Sequence, residues 1–72
     1  MVRYVIGKQN AYLHSNNAFY NAIFSGIGVN LVVYKSLKSA QKRADKVSGY
    51  VIAVENGQRL SEGNVVYNSI NN

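Results

Sequence analysis

Apolar and polar positions along this 72-residue chain change rhythm several times. Residues 2–8, VRYVIGK, are rich in β-branched and aromatic side chains and predict an opening strand. Gln9-Asn10 reads as a turn, with weaker chemistry than Asn-Gly would supply, and residues 11–14 return as a second strand. In SNNAFYNAIFSGIG, residues 15–28, Ala18, Phe19, Ala22 and Ile23 recur at helical spacing behind the capping candidates Ser15 and Asn16. One short helical turn followed by a loop is expected there. The alternative is an irregular loop pinned by Phe19 and Phe24. VNLVVYK, residues 29–35, is a nearly continuous apolar run, as expected of a central strand buried on both faces.

From Ser36 the period becomes helical. Ser36 sits where an N-cap belongs, the helix is expected to run to about Ser48, and Gly49 suits the left-handed position that ends helices. At about 100° per residue, Leu37, Ala40, Ala44 and Val47 fall in a stripe about 80° wide, with small alanines that let the axis approach a sheet. YVIAVE follows as a strand, with Tyr50, Ile52 and Val54 on one face and Val51 and Ala53 on the other. Asn56-Gly57 is a strong hairpin signal, with Arg59 and Leu60 beginning the return strand. A turn at Glu62-Gly63-Asn64 precedes a last short strand at residues 65–67, and residues 68–72 read as a frayed polar tail. The sum is one α+β domain over residues 1–72. It has a small single-layer sheet of about four to five strands with one main helix packed on it, in the order β-β-(short helix or loop)-β-α-β-β. The helix is long enough for a crossover between neighbouring parallel strands, right-handed if so, and an antiparallel arrangement is the alternative.

Composition narrows the environment. A chain of this length buries only about 60% of the surface its unfolded form exposes, so a lone monomer is marginal. With no cysteine, stability must come from packing alone or from packing plus a partner subunit. The lack of cysteine fits a reducing compartment. The start has no long apolar region, and no apolar run approaches the ~18 residues a membrane span needs, so a cytoplasmic protein without membrane contact is expected.

Charge then changes the reading of the helix. Eight Lys and Arg stand against three Asp and Glu, a formal net charge of +5. Such a balance favours an acidic protein face, a nucleic acid or an anionic surface. Lys38, Lys42 and Lys46 form an i, i+4, i+8 row opposite the apolar stripe, with Arg43 beside it. Like charges at that spacing cost a few tenths of a kcal/mol each. Asp45 is the only acid nearby and can relieve Lys42. A lysine-rich face that merely keeps a small protein soluble is the plainer alternative. A solubilising face gains pair energy by mixing Glu with Lys, however, and this one hardly does. Lys35 and Arg59 lie at the margins of the ridge, and Tyr34 and Tyr50 bracket the helix as candidate aromatic anchors.

Catalytic chemistry is sparse. His14 is the only histidine and has no nucleophile or metal partner near it in sequence, which suits a structural or surface role. Asp45, Glu55 and Glu62 are the only carboxylates, and no cluster has metal-ligand spacing. Gly26 and Gly28 make a bare GxG ahead of a strand instead of after one, the wrong context for a dinucleotide loop. A non-enzymatic protein with no metal or cofactor is expected.

The segments Tyr4 to Ile6, Ser36 to Lys46 and Tyr50 to Gly57 together resemble a layout common among very small phage and prophage proteins, including some anti-CRISPR proteins. In it an opening strand, an alanine-bearing helix after a Ser-Leu start and a closing strand-turn-strand follow one another. The resemblance covers about a third of the chain and carries no site residues. It implies an inhibitor or accessory protein that occludes a surface of a protein or nucleoprotein partner, in the host cytoplasm if phage-encoded. The expected contacts are Lys35, Lys38, Lys42, Arg43, Lys46, Arg59, Tyr34 and Tyr50. Direct, weakly sequence-specific DNA or RNA binding is the alternative, and a structural homodimer the second.

Overall fold

The opening hairpin forms as its alternation requires. Strand β1 (Val2–Lys8) pairs antiparallel with β2 (Ala11–Leu13), Gly7 opposite Tyr12 and Lys8 opposite Ala11. Gln9 and Asn10 both take positive φ, 50° and 64°, the two-residue turn whose twist suits right-twisted strands. The computed structural model describes residues 1–69, and in it β3 (Phe19–Tyr20), β4 (Tyr50–Glu55) and β5 (Asn64–Asn68) complete one sheet. Its order is β3-β2-β1-β4-β5 and every neighbouring pair is antiparallel, which settles the direction left open above. A single main helix, α1 (Leu37–Val47), packs on one face, so the expected α+β architecture is present.

Two corrections fall between residues 15 and 35. No helical turn forms in residues 15–28. Asn17 takes a positive φ of 66°, the His14 N–H donates to the Ala18 carbonyl at 2.9 Å, and the chain doubles back. Phe19 and Tyr20 thereby come to lie opposite Leu13 and Tyr12. Sheet pairing seats Phe19 against the core, which outweighs the weak local helix signal. Nor is 29–35 a continuous strand. It wedges in where β1 and β2 splay apart. Tyr4 and Tyr34 exchange two backbone hydrogen bonds of 2.8 Å on one side. On the other, the Val32 N–H donates to the Leu13 carbonyl at 3.1 Å and the Ser15 N–H to the Asn30 carbonyl at 2.8 Å. Burial therefore alternates: Val32 and Tyr34 join the helix-side core, Leu31 joins the opposite one, and Val33 is 42% exposed. This segment and β4 both run antiparallel to β1, on its two sides, so α1 carries the chain over β1 between mutually parallel stretches.

The helix is anchored at both ends. Ser36 Oγ accepts the Ser39 N–H at 3.4 Å. At the other end Ser48, not Gly49, takes the left-handed conformation, φ 58°, and the Gly49 N–H donates to the Ala44 carbonyl at 2.9 Å. Gly49 serves close packing instead, since a Cβ there would lie 2.7 Å from the Gly7 carbonyl oxygen. Lys8 Nζ donates to the Val47 carbonyl at 3.1 Å, and Ser69 Oγ to that of Gly49 at 2.6 Å. Ala40 and Ala44 are fully buried against Ile6, Leu13 and Val51, with Leu37 and Val47 beside them, as the wheel predicts.

The far face of the sheet, opposite α1, has its own cluster of Val5, Ile52, Val54 and Leu60. Here a further correction arises. The Asn56-Gly57 turn forms, with the Gln58 N–H donating to the Glu55 carbonyl at 3.0 Å, but Arg59 and Leu60 begin no return strand. Leu60–Glu62 make a 3₁₀ turn that buries Leu60 in the far-face cluster, a gain of about 2 kcal/mol for a leucine side chain. Of the tail expected at 68–72, Asn68 ends β5 and Ser69 holds the helix end, while 70–72 lie outside the described residues.

Candidate functional site

The basic residues of the helix region do not stay together in space. Lys42, Arg43 and Lys46, with Ser39 and Tyr34, line a groove of about 370 Å³ along one flank of α1. Tyr34 is positioned there because its backbone is tied to Tyr4 on both sides, while its ring packs against the helix-side core. Arg43 leans across to the β2–β3 loop, where its Nη2 donates to Asn17 Oδ1 at 2.6 Å. The left-handed backbone of Asn17 holds that carboxamide, its N–H donating to the His14 carbonyl at 2.9 Å.

The charge of the groove is unbalanced. Asp45 faces the other flank, where it accepts the Tyr67 hydroxyl at 2.6 Å, so the expected relief of Lys42 is absent. The ion pair found among the described residues is elsewhere, between the Met1 amino group and Glu55 at 3.8 Å. Lys38 lies near Asp45 on the helical wheel and does not line the groove. One flank of α1 is thus cationic with an aromatic wall, and the other is mixed.

The remaining expected contacts lie elsewhere. Lys35 lines a cavity of about 290 Å³ with Arg3 and Val33. Arg59 lines one of about 410 Å³ on the far face, also with Arg3. Tyr50 packs on the far-face cluster, its ring filling the space over Gly7, where an added Cβ would meet it at 2.4 Å. Tyr50 therefore faces away from α1 and cannot anchor a ligand in the groove. Sequence reasoning missed Asn17, Ser39 and Arg3. For Arg3 a signal existed, because its alternation with Val5 and Gly7 puts it on the far face.

His14 is tied into the fold by both ring nitrogens. It is fully buried, Phe24 N–H donates to its Nε2 at 3.0 Å, and the ring proton on Nδ1 is donated to the Tyr12 carbonyl at 2.8 Å. Its ring also meets Tyr20 edge-on, and Tyr20 stacks on Phe24, both at 4.8 Å between centroids. Among the described residues no group of three His, Cys, Asp or Glu could hold a metal, and no helix is long and apolar enough to cross a membrane. No protein-family model matches this chain, and neither a curated protein nor a solved structure does.

Proposed function

We propose that this is a non-enzymatic binding protein that docks the α1 groove on an acidic surface of a protein or nucleoprotein partner and occludes it, as a phage-type inhibitor or accessory protein would. One observation carries the reading: Lys42, Arg43 and Lys46 converge on a groove walled by Tyr34, with no carboxylate in its lining. Concentrating like charge without internal compensation costs stability, and an acidic partner removes that cost. The tyrosine supplies a rigid anchor and the cations supply register and a fast, steered encounter. A direct nucleic-acid reading uses the same geometry, with a base on Tyr34 and phosphates on the cations.

Charge reversal separates groove binding from general attraction. Lys42→Glu/Lys46→Glu and Lys35→Glu/Lys38→Glu lower the net charge equally, but only the first pair lines the groove. In affinity capture from cell lysate, the groove pair should abolish the proteins retained by the wild type, and the control pair should retain them. Equal loss from both variants would show general attraction in place of groove binding, and retention by both would reduce the groove to a solvated face. Gel shifts with random duplex and single strands provide the nucleic-acid arm, where direct binding would appear at low salt and fall steeply as salt rises.

A further inference from the structure

The far face holds a second site that the groove does not use. Two loops overhang it, residues 21–23 on one side and 58–61 on the other, and the cavity of about 410 Å³ lies between them. Such a volume is in the range of small-molecule pockets, roughly 300–1,000 Å³. Apolar walls come from Tyr12, Ile23 and Leu60, and cationic groups from Arg3 and Arg59.

Arg3 is the informative residue. It sits on β1 opposite Val54, with its side chain on the far face, where it lines both this cavity and the neighbouring one with Lys35 and Val33. Among the described residues, its Nε is the buried side-chain polar atom that has no hydrogen-bond partner. A guanidinium offers paired N–H groups as a fork that fits two oxygens of a carboxylate or phosphate, and a small shift of the Arg3 side chain towards a bound anion would give its enclosed Nε–H the acceptor it lacks. A buried donor left unmatched is unfavourable in an otherwise well-bonded small domain. The acids near in sequence are engaged elsewhere: Glu62 Oε1 accepts the Arg59 backbone N–H at 2.7 Å, and Glu55 faces the Met1 amino group. No Asp or Glu lines the cavity.

We infer that this cavity binds a small organic anion, with a phosphate or carboxylate on Arg3 and Arg59 and an apolar or aromatic body against Tyr12, Ile23 and Leu60. Two arginines set beside apolar side chains in one cleft suit a small molecule that carries an anionic group on an apolar body. The site lies across the sheet from α1 and stands independently of the groove.

Phenyl phosphate and benzoate are the probes, with benzyl alcohol as the neutral match, followed by NMR of the ¹⁵N-labelled protein including the arginine Nε–H signals. At least one anion should shift the Arg3 Nε–H signal saturably with a Kd of about 1 mM or tighter. Whichever anion binds more tightly identifies the headgroup. Arg3→Lys keeps the charge but loses the fork, and should weaken binding at least tenfold, as should Arg59→Gln. Because Arg59 is exposed, its variant keeps the test decisive if Arg3→Lys does not fold. Lys42→Glu/Lys46→Glu should bind as the wild type does. Shifts that stay linear to about 10 mM for both anions would overturn the site. So would equal shifts from benzyl alcohol, or an Arg59→Gln variant that binds unchanged.

Discussion

Ser48 and Gly49 show how two adjacent residues divide the work of ending a helix. Ser48 adopts the left-handed backbone that glycine tolerates best, while Gly49 occupies a place where any side chain would meet the Gly7 carbonyl. Ser48→Gly should therefore raise stability by about 1 kcal/mol, by removing the steric cost of the left-handed conformation. Gly49→Ala should lower it by about 1–3 kcal/mol through overpacking. Chemical denaturation of both variants checks the pair, and similar effects of the same sign would refute the division. His14 is the other residue whose role is fixed by its partners. His14→Phe keeps an aromatic body but strands the Phe24 N–H and the Tyr12 carbonyl, at a cost of about 2–3 kcal/mol. Hydrogen exchange at the Phe24 amide should accelerate in that variant.

Elements with a strong local period were legible in the sequence, and those set by long-range pairing were not. The helix showed its stripe because Leu37, Ala40, Ala44 and Val47 repeat at its own period. β1 and β4 showed themselves by alternation and β-branched content. Phe19 and Tyr20 carried a helical spacing that β2 overrode, and residues 29–35 looked like a buried strand although they only bridge a splay. Leu60 was misplaced because its burial depends on Ile52 and Val54 beneath it, which no local signal records. For the site, the helical wheel put Lys38, Lys42 and Lys46 in one row with Arg43 beside it, whereas the groove takes in Lys42, Arg43 and Lys46 without Lys38, and the partition among three cavities needed the fold. At the sheet edge, β5 leaves Val65 and Val66 exposed, 57% and 46%, a surface open to self-association. Val65→Lys should change stability by no more than about 0.5 kcal/mol. Light scattering should show it monomeric at concentrations where any wild-type dimer forms, and an unaltered dimer would exclude this edge.

At the scale of the whole molecule, one sheet separates two cationic regions. Lys42, Arg43 and Lys46 lie on the helix side, and Arg3, between Arg59 and Lys35, is on the far side. Lys42→Glu/Lys46→Glu relieves the Lys38–Lys42 repulsion but leaves a Glu–Glu pair at i, i+4 and puts an acid in the last turn of α1, so it should change stability by less than about 1 kcal/mol while losing its partner. The most direct test is an NMR titration of the ¹⁵N-labelled protein with a glutamate-rich peptide, mapped residue by residue at low and moderate salt. Saturable shifts are expected at Tyr34, Ser39, Lys42, Arg43 and Lys46, weakening as salt rises and vanishing in Lys42→Glu/Lys46→Glu. Small shifts spread over every lysine and arginine, unchanged in that variant, would contradict a docking role for the groove.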